Sequence, residues 1–465
     1  MSDLAFRSLP SVASEIRSKS ISATELLEAN IKQIDKWGES NNVFTLTLLE
    51  EARERARQMD AESAKGIFRG PLHGITLAVK DLIDVSGYRN TAGTGSRKNA
   101  APASSNADCV QRLVDAGANI VGLANLHEWA YGGTSSNPFF GPVRNMWDSN
   151  RMPGGSSGGS AVAVSGGMAL MALGTDTGGS VRIPASVTGT SALKVTVGTL
   201  STRGVMPLTW TLDTVGPMAR RVEDLFAPYA ALSGSDERTK ANGYSTPGNK
   251  KIVLGIDRSY YLEEGRIEPG VYSVFLTALE QLKSAGVTIV DVSMPLLKNA
   301  SPAQYALVLA EAAAVHSGKH RAERREYGAD VQGYLALGDG LLAQDYIAAH
   351  RFRAELWNQM RSVFEGVDFL VSPSTPHVAS PIGQGEFLWP NGTTESLLDA
   401  CWRFTFPSNL VGIPSISQPC GLTPEGLPVG LQLIGRPNSE WDLLIAARNF
   451  EREMDWDFRP PSTIK

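Results

Sequence analysis

Small hydroxyl residues and glycines crowd one stretch of this chain, "RMPGGSSGGSAVAVSGGMALMALGTDTGGSVRIPAS", from Arg151 to Ser186. A serine becomes a nucleophile only beside a base, and only where donors await the oxygen that turns negative. Three serines have part of that setting. Ser156 lies in Gly154-Gly155-Ser156-Ser157-Gly158, which satisfies G-x-S-x-G. The polar, proline-terminated "NMWDSNRMP" before it is unlike the strand that a nucleophile elbow needs. Ser191 and Lys194 satisfy S-x-x-K, without the companion K-T-G. Ser180 ends "GTDTGGS", where consecutive glycines let the backbone approach a ligand. The N–H groups of Thr177, Gly178, Gly179 and Ser180 can then meet at one oxygen, an oxyanion hole in which each donor is worth about 2.7–4 kcal/mol.

The base is the next question. Histidine is the usual one, and His73, His127, His316, His320, His350 and His377 are available, none in an arrangement that singles it out. Lys80 is the alternative. It is the only charged residue in "ITLAVK", Ile75 to Lys80. Burial disfavours an ammonium, and bringing its pKa from about 10.4 to about 7–8 takes roughly 3–4 kcal/mol. Two rival uses of the glycines fail on context. A flexible linker would not flank the apolar run 161–173, "AVAVSGGMALMAL". A phosphate cradle needs G-x-x-x-x-G-K-[ST], or G-x-G-x-x-G between a strand and a helix, and neither is present.

The elements that must hold these residues read as α/β. Ser22-Ala-Thr-Glu25 is a capping box, followed by Leu27, Ile31, Ile34 and Trp37 at helical spacing and a stop at Gly38. A charge-rich helix, with a solvated face, follows over about 48–62. "ITLAVKDLIDV" alternates Ile75, Leu77 and Val79 against Thr76, Ala78 and Lys80, as a strand does. "SSNADCVQRLVDAGAN" reads as a capped helix ending at Gly117, and "IVGLANL" as a buried strand, which completes a βαβ unit. "KIVLGI" (251–256), a helix over about 270–285 and "VTIVDV" (287–292) repeat the pattern. "VDFLVSPSTP" (367–376) and "LPVGLQLIG" (427–435) read as further strands, 300–365 as helix-rich and 377–396 as a Pro/Gly-rich loop. Length alone suggests about three domains, but one large α/β unit with a helical N-terminal region is the simplest parse.

Several motifs together resemble the amidase signature family: "AVKD" (78–81), "GPVRNMWD" (141–148), "PGGSSGGSAVAV" (153–164), "GTDTGGSVRIPAS" (174–186) and "LDTVGPMARRVEDL" (212–225). The separation of Ser156 and Ser180 agrees, and the likeness returns in "NLVGIPSISQPCG" (409–421) and "GLPVGLQLIGRP" (426–437). It is strong from 71 to 225 and weak from 240 to 400. The resemblance implies a large mixed, mostly parallel central sheet flanked by helices on both sides. Residues 1–70 would be a helical N-terminal region packed on the core. Residues 71–465 would form the amidase signature domain, with 300–400 shaping the substrate site. It further implies a Ser-cisSer-Lys triad, with Lys80 as base, Ser156 as bridge in a cis peptide and Ser180 as nucleophile. Asp176 and Arg182 look like the family's supporting pair. "SALKVT" (191–196) and "KDLID" (80–84) depart from the commonest family pattern without touching a catalytic atom.

For substrate, the resemblance implies an amide and no cofactor or metal. "EWAYGGTSSN" (128–137) would form one wall, through Ala130, Tyr131, Gly132 and Gly133, and Trp389, Trp402, Phe404 and Phe406 are candidate aromatic lining. The expected reaction is hydrolysis of a small neutral or aromatic carboxamide. The alternatives are a glutamine-hydrolysing component of an amidotransferase, an α/β-hydrolase-type esterase acylated on Ser156, and a silent binding protein. A net charge of −5 gives no basic footprint for nucleic acid or anionic lipid. Cys109, Cys401 and Cys420 form no metal-ligand spacing. Sparse thiols, no secretory signal and no long apolar run point to a cytoplasmic protein that acts on a small molecule, with a homodimer compatible.

Overall fold

The computed structural model describes residues 4–235, 252–454, 456 and 459–461. Eleven strands form one sheet. In chain order they are β1 (Phe44–Thr47), β2 (Thr76–Lys80), β3 (Asn119–Ala124), β4 (Met171–Asp176), β5 (Ser191–Lys194), β6 (Thr214–Ala219), β7 (Val253–Ile256), β8 (Thr288–Asp291), β9 (Phe369–Pro373), β10 (Ser415–Leu422) and β11 (Pro428–Ile434). Across the sheet they run β1-β3-β2-β4-β6-β5-β10-β11-β9-β7-β8.

The large mixed sheet flanked by helices is the expected one. Its parallel pairings form two blocks, β3-β2-β4 and β9-β7-β8. The strands that join the blocks pair antiparallel, from β4 through β6, β5, β10 and β11 to β9. Both predicted βαβ units are present: β2 and β3 flank the helix Asp108–Asp115, and β7 and β8 flank the helix Pro269–Ser284.

The alternation in β2 is what positions the site. Ile75, Leu77 and Val79 enter one apolar cluster, and Ala78 enters another on the opposite face. The first cluster takes residues from the helices Asp108–Asp115, Pro269–Ser284 and Glu440–Glu453. The second takes them from Leu49–Ala64 and Gly158–Ser165. With both faces covered, every residue of β2 is buried, so Lys80, on the parity of Ala78, ends inside the protein.

Four details differ from the sequence reading. The first 70 residues are not only helical, because β1 adds an edge strand antiparallel to β3. The helix Ala23–Gln33 has its Ser22/Glu25 capping box and runs on to Gly38 as a π-turn. The helix from Asp108 has no side-chain cap. Main-chain carbonyls of Asp84 and Arg203 take its first N–H groups instead, at 2.9 and 3.2 Å. Finally, the 377–396 segment contains a hairpin, Glu386–Leu388 against Thr394–Ser396, turned by Trp389 N–H to Thr393 O and Gly392 N–H to Trp389 O, both 2.9 Å. Lys251, where one strand was expected to begin, lies outside the described residues. Among the described residues no helix is long and apolar enough to cross a membrane.

Candidate active site

Lys80 closes β2 with no solvent exposure. Its Nζ lies 2.7 Å from Ser156 Oγ, 2.9 Å from Ser157 Oγ and 2.9 Å from Thr175 Oγ1. Burial pushes its pKa down from 10.5 to about 7, against the smaller opposing pull of Asp176 and Asp213. The three hydroxyls are not equivalent. Ser157 Oγ donates to Thr175 O at 3.2 Å, so its proton is occupied and it can only accept from Lys80. Ser156 has no such outlet among the described residues, and its proton is available to a neutral amine.

The Ser156 backbone is held from three sides. The Gly155–Ser156 peptide is cis. Ser156 O accepts from His127 N–H at 3.1 Å and from Ser135 Oγ at 3.3 Å. A side chain on Gly155 would meet the main-chain nitrogens of Ser135 and Thr134 at 2.7 and 2.8 Å. The next segment ties this loop to the second serine, since Ser157 N–H donates to Ser180 O at 3.2 Å. Among the described residues that main-chain bond is the link, and no hydrogen bond joins the Ser156 and Ser180 hydroxyls.

Ser180 sits on the turn between β4 and the helix Arg182–Thr188, and this turn is organised around Asp176. Arg182 grips the Asp176 carboxylate with Nε and Nη2, each at 3.0 Å. Asn409 Nδ2 donates to it at 2.8 Å, as does Gly179 N–H, and Val181 N–H reaches it at 3.3 Å. Burial alone would raise this carboxyl's pKa, but the charge and hydrogen bonds of Arg182 overcome it and hold the group far below the usual carboxylate range. Arg182 is satisfied on its other edge by Gln432 Oε1 (2.6 Å), Ser408 Oγ (2.8 Å) and Thr405 O (3.3 Å), and by Asn409 Oδ1.

Of the four amides expected to face one oxygen, that of Gly179 is therefore already committed to Asp176. Among the described residues the N–H groups of Gly178 and Ser180 have no protein acceptor. Both glycines are required by space. A Cβ on Gly178 would come within 2.6 Å of Phe406, and one on Gly179, whose φ is +124°, within 2.3 Å of Thr405 Oγ1. Gly179→Ala should accordingly cost about 2–3 kcal/mol of stability from overpacking and backbone strain. Denaturant unfolding measures this, and an unchanged midpoint would refute the packing account.

Other candidates separate from this cluster. Lys194 is as buried as Lys80, but its Nζ donates to the carbonyls of Val195 and Ile413, both at 2.9 Å. Ser191 Oγ has no partner among the described residues, so the S-x-x-K pair is no dyad. None of the six histidines hydrogen-bonds to the hydroxyl of Ser156 or Ser180 among the described residues. Sequence reasoning missed Ser157, Thr175, Asn409 and Gln432. It also missed Asp213, which accepts from Thr177 Oγ1 at 2.6 Å, and whose pKa burial raises to about 6.

Beside Ser180 lies a small cavity. Ala130, Tyr131 and Gly132 form one wall, Thr177 and Gly178 the floor, and Leu208, Tyr305, Val308, Trp402 and Phe406 the remainder. Trp402 stacks on Phe406, with ring centres 5.4 Å apart. Three expected lining residues are elsewhere. Gly133 backs onto Cys401 and Trp402. Trp389 stacks on Phe387, and Phe404 packs on Tyr260 and Tyr261. Among the described residues no charged side chain lines the cavity.

Known proteins match this chain along its length. A family model described as Amidase covers residues 25–444. An amidase from Pseudomonas putida is 36% identical over 475 residues, spanning 100% of this chain and 99% of that protein. A glutamyl-tRNA(Gln) amidotransferase subunit from Chloroflexus aurantiacus is also 36% identical, over 500 residues that take in 100% of both chains. A crystal structure of an amidase superposes with a TM-score of 0.90 at 33% identity, covering 96% of this chain and 100% of that one.

Proposed function

The chain belongs to the amidase signature family of amide C–N hydrolases, and from that premise we propose that it hydrolyses a small neutral or aromatic carboxamide through an acyl-enzyme on Ser180. The reading rests on one arrangement above all: a buried amine, poised to be neutral, bonded to Ser156 one loop away from Ser180. Neutral Lys80 takes the Ser156 proton as Ser156 takes that of Ser180. Ser180 Oγ attacks the carbonyl carbon, and the Thr177, Gly178 and Ser180 amides receive the oxyanion, while Gly179 N–H holds the turn through Asp176. On collapse the C–N bond breaks, Ser156 delivers its proton to the departing amine, and Lys80 returns one to Ser156. Water then repeats the sequence on the ester and releases the carboxylate. The scheme requires the Ser180 hydroxyl to close onto Ser156 when substrate fills the cavity, and such bonds commonly tighten only in the Michaelis complex. Asp176 and Arg182 orient this turn and take no part in bond making.

Substrate choice follows from the cavity. With no charged side chain in its described lining, it offers nothing to the ammonium and carboxylate of glutamine, and desolvating them there is costly. An aromatic or aliphatic acyl group suits Tyr131, Trp402 and Phe406. The amidotransferase-type alternative predicts the reverse. A turnover panel of benzamide, p-nitroacetanilide, a hydrazide and glutamine decides between them. The neutral amides should be hydrolysed and glutamine should release little ammonia; ammonia from glutamine alone would replace this reading. A fluorophosphonate followed by peptide mapping should tag Ser180, and a tag on Ser156 or Ser191 would reverse the assignment of roles. We also place the protein in the cytoplasm, on its three buried, unpaired cysteines. A homodimer is not required for the chemistry, since one chain supplies the whole site.

A further inference from the structure

The segment 127–132 is both a wall of the cavity and a strap fastened to the helices above it. Ala130, Tyr131 and Gly132 face the cavity. Their neighbours reach the other way. His127 Nε2 meets Asp330 Oδ2 at 2.8 Å. Glu128 Oε2 accepts from Gly328 N–H at 2.7 Å. Trp129 packs edge-on against His316 (4.5 Å between ring centres) and beside Tyr327 (5.3 Å). Tyr131 itself lies 4.9 Å from Tyr334. Gly328 caps the helix Ala329–Asp339, which carries Asp330 in its first turn and Tyr334 at its middle and packs on Ala300–Val315, the helix that supplies Tyr305 and Val308 to the cavity.

His127 is the centre of this junction. It is 3% exposed. Its ring fills the place of a Gly132 side chain, so closely that a Cβ there would lie 2.2–2.5 Å from ring atoms. Its main-chain N–H holds Ser156 O at 3.1 Å. Thr134 Oγ1 lies 3.2 Å from Nδ1, and on the other edge Nε2 faces the Asp330 carboxylate, which only accepts, so Nε2 carries a proton and donates it there. Asp330 is itself 41% exposed, so the pair's charge attraction contributes little. What the pair provides is an acceptor for a buried N–H, and losing that acceptor leaves the imidazole unsatisfied against the wall it supports.

We propose that the His127–Asp330 pair is a positioning strut that fixes the Tyr131–Gly132 wall against the overlying helices and thereby sets which acyl groups the cavity accepts. The proposal rests on the amidase reading of the same cavity. It predicts that the strap and the helix move together when the strut is cut, and that recognition of a bulky acyl group suffers more than the chemical step.

The test is Asp330→Ala in the full chain, with Asp330→Asn, which keeps an acceptor oxygen in place, as the conservative variant. In Asp330→Ala the KM for benzamide should rise about tenfold with kcat within about twofold, a pattern of lost ground-state binding. The preference for benzamide over acetamide should fall with it, and Asp330→Asn should recover most of it. Hydrogen exchange should speed about tenfold in both 127–136 and 329–339, the mark of one opening unit. Faster exchange confined to 329–339, or an unchanged benzamide preference, overturns the strut. A wild-type chain that hydrolyses neither amide defeats the amidase reading instead, and the exchange of the two segments then still decides whether the strut couples them.

Discussion

Lys80→Met should lower kcat for a neutral amide by about 10²–10⁴ while changing the stability of the protein little. The first half follows from the loss of a general base. The second follows from what burial does to an amine. Lowering a lysine from 10.5 to about 7 costs the fold roughly 4 kcal/mol at neutral pH. The hydrogen bonds of Nζ to Ser156, Ser157 and Thr175 return about 1 kcal/mol each. The methionine variant also leaves the buried Ser156 and Thr175 hydroxyls without their partner, at about 1–3 kcal/mol each, so gain and loss offset and stability should change little. A structural lysine behaves in the opposite way, with stability and activity falling together, so denaturant melts and turnover read on the same samples separate the two roles.

The same residue sets two pH dependences of known sign. Activity needs the neutral amine, so kcat/KM should rise with pH through about 7. For stability, the folded pKa lies below the unfolded 10.5, so between about 7 and 10.5 the unfolded chain holds the extra proton. The contribution of this site to stability therefore grows as pH rises across that window, and Lys80→Met should remove that part of the slope. Burial brings Lys194 to about 7 as well, yet it faces two carbonyls, which have no proton to give. A depressed amine alone does not make a base; the hydroxyl beside it does.

Much of the site was legible because it violates local expectation. One charge on an apolar strand marked Lys80, and two glycines before a serine marked Ser180. Gln432 carries the same kind of signal, a polar residue in the apolar strand β11, and Asn409 lies in a segment that matched the family. Their roles were hidden because their partner, Arg182, is more than 220 residues away in sequence and meets them only once β10 and β11 are in the sheet. Strand direction was hidden for a related reason. The βαβ units declare themselves within one local stretch, as β2 and β3 do, whereas the antiparallel pairings of β5 with β10 and of β9 with β11 join strands far apart in sequence and carry no local pattern. The hairpin at 386–396 was masked by its composition, since Pro390 and Gly392 turn it tightly and read as loop.

Arg182→Met tests whether that distant network is the scaffold of the Ser180 turn, and it should cost about 3–5 kcal/mol, the usual consequence of leaving one member of a buried ion pair behind. Arg182 and Asp176 are both wholly buried, so no water replaces the lost guanidinium. Asp176 keeps only Asn409 and two main-chain N–H groups, and Gln432, Ser408 and Asn409 lose their shared donor. Because the Asp176 pKa is depressed, its contribution is fully present above the ordinary 3.8 and is lost only as pH falls through its lowered folded value. In the variant burial is no longer opposed by Arg182 and raises the Asp176 pKa, so the deficit should grow as pH rises and shrink as falling pH lets the stranded carboxylate take up a proton. Asp176→Asn in the same background removes the stranded charge and should recover part of the loss, the coupling expected of contacting residues. Activity separates structure from turn geometry: the double variant, even where it folds, still lacks the carboxylate that draws Gly179 N–H inward, so turnover should stay low when stability returns. Recovery of both together would mean that Asp176 and Arg182 hold the fold and do nothing to aim Ser180.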